Sequence, residues 1–471
     1  MKKHITRAIA LLLAVLMVFT ICGCKKDKDK EKTAYDPLPG ETPVDLGGYE
    51  FTIICNGGAP NWNKEVSGTP YADAFIQMVD EVEYLYNCTI SATDVPWADM
   101  FNVVQPEVMA GGKAADIIIT LEHSYGQYLG ANLMIDLNEI ESVNWDNEWW
   151  NQSIRKTTTF NNKSYVGGGS FIFDTNKTWI VYANRAIWDR NGFPDPYELV
   201  DSGKWTYDLF REYAMMAARD NDGSGALDSS EDVYGVIAMN GDFCDALFLS
   251  MGGHYFRANR AGIVTLACNN DRTYSIIEKM QQMIRKDNVY GFLGLGEVEH
   301  VQQFTSGGAL FYCYTVGKDG LQDMEDDWFV LPMPKFDEAQ EEYLSGVDHN
   351  ASVFGVTNTN EDLREVSILL EAIGRHAMIL EQIFWPDYKD TYWRDPESER
   401  IVSEYVVGHG QHDLALIMAK CGAAFQAPRS RLFNTVFGSA GPDFSSYVDT
   451  VEDAIEMQIQ DFFEYEAESA E

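Results

Sequence analysis

Apolar residues recur along this chain in two alternating rhythms. Residues 49–55 form a short apolar run closed by Asn56-Gly57-Gly58, which predicts a strand and then a loop. Over residues 71–86 the apolar side chains Ala74, Phe75, Met78, Val82 and Leu85 fall at helical spacing. A second strand starts at Cys88, a helix spans 99–109 until Gly111-Gly112 stops it, and 115–120 is a fully apolar strand. The alternation continues with strands at 233–239, 309–314, 328–331 and 351–357, and helices at 272–285, 361–375 and 448–465. Buried strands alternating with helices predict an α/β fold built on mainly parallel sheets. A chain of 471 residues exceeds the size at which single cores stop growing, so two lobes are expected.

The first 24 residues break this rhythm. Lys2, Lys3 and Arg7 precede an apolar run over residues 8–19, which ends in Ile21-Cys22-Gly23-Cys24. A basic start and an apolar segment too short to span a bilayer describe a cleaved export signal. The stretch resembles a bacterial lipoprotein signal, which implies removal of residues 1–23 and acylation of Cys24. Residues 24–44, rich in Lys, Asp and Glu, then read as a solvated, lipid-anchored tether. The expected location is the outer face of the cytoplasmic membrane, in a Gram-positive cell. A net charge of −38 argues against nucleic acid as a partner. The cysteines beyond Cys24 show no CxxC pair, and those inside apolar runs read as buried thiols.

A family resemblance covers most of the remaining chain. Val108-Met-Ala-Gly-Gly-Lys-Ala-Ala-Asp116-Ile-Ile resembles the helix–glycine–strand element of bacterial extracellular solute-binding proteins of the sugar ABC-importer type. Tyr182-Ala-Asn184-Arg-Ala-Ile-Trp188, with Asn191-Gly192-Phe-Pro and Lys204-Trp205-Thr-Tyr-Asp, is similar to that family's most recognisable stretch. Phe304-Thr-Ser-Gly307-Gly-Ala-Leu-Phe311 with Val330-Leu-Pro332-Met-Pro334, and then Phe354-Gly-Val-Thr, resemble its second and third markers in order. The resemblance implies a two-lobe periplasmic-binding-protein-like fold of type II, each lobe a mainly parallel sheet flanked by helices, with a hinge between. The first lobe is expected to comprise residues 45–165 plus 346–384, and the second 166–345 plus 385–471. It further implies capture of a carbohydrate by hinge closure, without catalysis, and delivery to the permease subunits of an ABC importer.

Ligands of open α/β sheets sit beyond the carboxyl ends of strands, and sugars need aromatic faces and planar hydrogen-bonding groups there. Trp62 follows the first strand, Glu122 and His123 the strand at 115–120, Asp242 and Phe243 the strand ending at 239, and Tyr314 closes the strand at 309–314. Asp348 and His349, with the aromatic loop of Trp385, Tyr388 and Tyr392, stand near a late lobe crossing. These are the candidate ligand contacts, each with a core-packing alternative.

One segment carries metal chemistry. Residues 220–231 match the twelve-residue calcium loop, with oxygen donors at Asp220, Asp222, Ser224 and Asp228, and the Ala226 carbonyl at position seven. Glycine stands at Gly225, an apolar residue at Leu227 and a bidentate glutamate at Glu231. A structural Ca2+ in a helix–loop–strand setting is expected, against the alternative of an acidic turn without metal. The chain lacks HExxH, GxSxG and the phosphate-cradling GxxxxGK[ST]. An exported carbohydrate-active enzyme needs only two well-placed carboxylates, so it stands as the second reading beside a binder of sugar or another polar solute.

Overall fold

The computed structural model describes residues 35–65, 68–172, 175–259, 262–291, 296–318, 320–322, 324–438 and 443–468; for residues 175, 384–392 and 463–468 only the backbone is described. The export signal, Cys24 and the tether up to residue 34 lie outside the described residues. The chain divides into a leading unit, Met1–Asp36, and a body, Pro37–Glu471, to which every described strand and helix belongs.

The larger sheets use nine strands: β1 (Tyr49–Cys55), β2 (Cys88–Asp94), β3 (Ile117–Leu121), β4 (Trp179–Asn184), β5 (Tyr234–Ala238), β6 (Tyr290–Gly291), β7 (Ala309–Thr315), β8 (Trp328–Pro332) and β9 (Ser352–Gly355). The first sheet has the order β9-β3-β1-β2. Its three chain-adjacent strands are parallel, and β9 joins antiparallel through Ser352 opposite Leu121. The second sheet has the order β6-β5-β7-β4-β8 and is mainly parallel, with four strands running one way and β4 alone reversed. β5 pairs parallel with β6 and β7, whereas β4 runs antiparallel to both β7 and β8. The reason is connectivity: β4 is the strand by which the chain enters this sheet from the crossing, so it runs against the strands that come after it.

The helices that position the site are α1 (Pro70–Tyr86), α2 (Glu122–Gly130), α3 (Tyr207–Ala217), α4 (Asn240–Ser250), α5 (Glu297–Thr305), α6 (Leu363–Tyr392), α7 (Leu414–Ile417) and α8 (Ala423–Phe437). α1 starts where Thr69 caps the Ala72 amide and Pro70 takes the first turn, and ends at Asn87 in the left-handed region. Its buried face, Phe75, Met78, Val79 and Val82, packs with Val366, Leu370 and Ile373 of α6 in one core cluster. α6 runs well past residue 375. Gly374 does not stop it, because that position is where the Trp149 ring packs: a Cβ there would lie 2.5 Å from Trp149 Cδ1. The segment expected to be an aromatic loop around Trp385, Tyr388 and Tyr392 is therefore the last part of this helix, and those side chains lie outside the described ones.

The outgoing and returning chains run side by side between the two sheets. Gly167 and Phe354 form one antiparallel bridge, with paired backbone bonds of 2.8 Å, and Thr178 and Val347 form another. A further contact joins α2, which follows the first sheet's β3, to α7 near the chain's end. Gly126 is required there, since a Cβ would come within 2.8 Å of Met418 Cα. Cys55, Cys88, Cys244, Cys268 and Cys313 are buried free thiols, as their apolar surroundings predict.

Candidate functional site

Loops at the carboxyl ends of the strands bring a polar and aromatic cluster together from both sheets. From the first sheet, β2 leads to Trp97, whose side chain is 48 % exposed, and β3 leads into α2 at His123. The two rings meet edge to face at 5.6 Å, and Lys420 Nζ lies 4.9 Å from the Trp97 ring while donating to Ser124 Oγ at 3.1 Å. The returning chain before β9 supplies Asp348 and His349. The His123 amide donates to the His349 carbonyl at 3.1 Å, and the rings stack edge to face at 5.1 Å.

From the second sheet, β5 leads into α4 at Asp242, and Asp242 Oδ1 lies 3.1 Å from His349 Nδ1. Asp242, Asp348 and His349 offer ligand-type atoms all within 4.8 Å of one another. Arg429 of α8 reaches Asp242 at 4.0 Å and is held below it by Asp245 at 2.6 Å, which also accepts from the Tyr255 hydroxyl at 2.7 Å. Beside them, Tyr314 carries Lys318 over its ring at 5.3 Å, and Lys318 pairs with Glu297 at the start of α5 at 2.5 Å.

The electrostatics follow this geometry. Burial works against a charged His349, but the Asp242 and Asp348 carboxylates outweigh it and hold the imidazole above its ordinary range. Burial, with positive neighbours His349 and Lys420, pushes His123 the other way. Burial and the Glu297 carboxylate push the Tyr314 hydroxyl up, so it remains a donor. The cleft thus offers two imidazoles whose proton affinities are shifted in opposite directions, two carboxylates, a phenol and an indole face. That is a set suited to orienting hydroxyl groups.

Of the residues expected here, His123, Asp242, Tyr314, Asp348 and His349 are brought together. Three others are corrected. Trp62 is 3 % exposed and packs edge to face on Phe75 at 4.8 Å, because the loop after β1 folds inward as a short helical turn. Phe243 is buried and stacks on Tyr290 at 5.7 Å, one residue round the helix from Asp242. Glu122 is buried, with Oε2 3.0 Å from His412 Nδ1, and joins α2 to the segment before α7. Trp97 went unread, although it stands in the loop after β2, where the rule that found the others also points.

The loop at 220–231 sits between α3 and β5 and is closed by the bridge of Arg219 with Val233. Asp220 accepts the amides of Gly223 at 2.6 Å and Gly225 at 2.7 Å, and Ser224 Oγ lies 3.1 Å from the Ala226 carbonyl and 3.3 Å from Asp228 Oδ1. The third carboxylate beside Asp220 and Asp222 is the buried Asp232, whose oxygens accept the amides of Asn221, Asp228 and Ser229.

No protein-family model and no curated protein matches this chain. Solved structures do. An ABC substrate-binding protein of Listeria monocytogenes, in complex with cycloalternan, superposes with a TM-score of 0.57 at 15% identity, over 88% of this chain and 99% of that one. The cyclic α-maltosyl-1,6-maltose binding protein of Arthrobacter globiformis gives 0.58 at 15% identity, over 88% and 100%. The maltose-binding protein MalE of Listeria monocytogenes, in complex with maltose, gives 0.56 at 13% identity, over 88% and 98%. The chain has the two-lobe fold of ABC-transporter solute-binding proteins. In this fold the cluster around Asp242 and His349 lies where the strand ends of the two lobes face each other.

Proposed function

We propose that this chain is an extracellular solute-binding protein that captures a carbohydrate, of oligosaccharide size, between its lobes and delivers it to the permease of an ABC importer. The observation that carries the reading is the meeting of Asp242 with His349 beside Trp97 and Tyr314, contributed by both sheets. Hinge closure over a sugar would bring its hydroxyls to these groups and its C–H face to an aromatic ring. The export signal and Cys24 support anchoring at the outer face of the cytoplasmic membrane by a lipid, with residues 24–44 as tether.

Thermal unfolding against linear and cyclic α-glucans, other neutral oligosaccharides, peptides and polyamines tests this, because a ligand of the native state raises Tm by mass action. A rise with one saccharide class and no release of reducing sugar is the expected result. Release of reducing sugar would favour the enzyme reading through the Asp242 and Asp348 carboxylates, and a response to peptides or polyamines alone would overturn the substrate.

We also infer that the loop at 220–231 holds Ca2+ through Asp220, Asp222, Ser224, Asp228, the Ala226 carbonyl and Glu231. The donors of Ser224, Ala226 and Asp228 already converge, and buried Asp232 braces the loop backbone, which supports a stiffening role. Calcium at 100 times its Kd would add about 2.7 kcal/mol of stability. The Tm of the wild type should rise with calcium and not with magnesium, and Asp220→Ala should abolish the rise; a wild-type Tm indifferent to millimolar calcium overturns the assignment.

A further inference from the structure

The strap that leads into β1, residues 37–44, is largely exposed, yet one of its side chains is inside the protein. Glu41 accepts the Leu38 amide at 2.7 Å, the Tyr86 hydroxyl at 2.8 Å and His376 Nε2 at 3.0 Å. On the other side of the same ring, His376 Nδ1 lies 3.1 Å from Glu81 Oε2. The side chains of Glu41 and His376 are 2 % and 1 % exposed. One imidazole therefore bridges two carboxylates from separate elements, Glu81 on α1 and Glu41 on the strap.

A neutral imidazole has a single N–H and can donate to only one of them; the imidazolium donates to both. The remaining charged groups nearby are engaged elsewhere. Arg375 of α6 lies 5.3 Å over the Trp149 ring, and Glu371 accepts the Asn144 amide and the Asn147 side chain. Burial alone would favour the neutral ring, yet Glu41 and Glu81 outweigh it, and Glu41 in turn is held below its ordinary range.

We propose that Glu41, His376 and Glu81 form a proton-held clasp that fixes the strap to the α1–α6 helix pair, and that loss of the ring proton releases it. A released strap would free residues 37–44, about 25 Å of chain when extended, from the body. It would also remove a wall, Leu38 and Pro39, from the cavity of about 530 Å³ that Met78, Glu81, His376 and Ile379 line. The clasp rests on the body alone; only its use as a control on tether length depends on the proposed anchoring.

Because the folded pKa of His376 is raised, the clasp is fully held below the free-histidine value of about 6.5 and weakens, by at most about tenfold per pH unit, until pH has risen through the folded value. Acid opens it by another route, when pH falls through the lowered Glu41 value.

Hydrogen exchange of the full-length chain between pH 6 and 10, corrected for intrinsic rates, tests this in the peptide covering residues 38–46. Wild-type protection should fall above the free-histidine value and level off once pH passes the folded value, while β1 stays protected. His376→Gln should give low, flat protection, and Glu81→Gln should move the fall to lower pH. Flat wild-type protection across the range, or wild-type protection in His376→Gln, overturns the clasp. Should His376→Gln fail to fold, an unmoved midpoint in Glu81→Gln overturns it.

Discussion

Replacing His412 by alanine would leave a carboxylate in the interior with nothing to neutralise it. Glu122 is fully buried, its Oε2 faces His412 Nδ1 at 3.0 Å, and its Oε1 has no hydrogen-bond partner among the described residues. Removing one member of a buried ion pair costs about 3–5 kcal/mol, most of it the desolvation of the survivor. At roughly 1 °C of Tm per kcal/mol for a body of this size, His412→Ala should melt about 3–5 °C below wild type. Glu122→Ala should cost less, about 1–2 kcal/mol, because it leaves one buried imidazole behind in place of a carboxylate with both oxygens buried. The double variant removes both groups and should fall short of the summed single losses by about 2 kcal/mol. Differential scanning calorimetry of the three variants without ligand measures the cycle. Losses that simply add, or a His412→Ala protein within 1 °C of wild type, would refute the reading of Glu122 as a buried joint between α2 and the segment before α7.

Two tryptophans separate core from cleft: Trp97→Ala should weaken sugar binding about tenfold or more with little change in Tm, whereas Trp62→Ala should cost about 3–5 kcal/mol of stability and leave affinity near wild type. Calorimetric unfolding and isothermal titration distinguish them, and the opposite pattern would return Trp62 to the ligand. For the Asp242–His349 pair the sign is set by the raised histidine: its contribution is complete below about pH 6.5 and is lost as pH rises through the folded value. NMR titration of the His349 ring should therefore show a pKa above 6.5 that falls in Asp242→Asn. A wild-type ring titrating at or below 6.5 contradicts the pair.

Much of the strand placement was legible because β-branched runs such as Ile117-Ile-Ile119 carry both their burial and their end point in the residues themselves. What the pattern could not convey was direction of approach. β4 is as apolar as its neighbours, and only the crossing that delivers it makes it antiparallel. The site divides along the same line. Asp242 and His123 are legible because ligand contacts gather just beyond the carboxyl ends of strands. Phe243 and Glu122 sit next to them in sequence but face inward, a rotation about the helix axis that spacing from a strand does not specify. Trp62 and Trp97 are both tryptophans in loops after strands; one turns under Phe75 and the other stays open, and that choice is made by neighbours distant in the chain.

The bridges of Gly167 with Phe354 and of Thr178 with Val347 are made wholly from main-chain atoms. The bonds themselves ask only for an amide and a carbonyl, but a Cβ at Gly167 would lie 2.3 Å from the Phe354 ring, so this side of the crossing admits no residue larger than glycine. Phe354 is held as tightly. Proline there would remove the amide that bonds Gly167 and take a fully buried ring away from Trp150 and Phe171, so the crossing and the core beside it would loosen together.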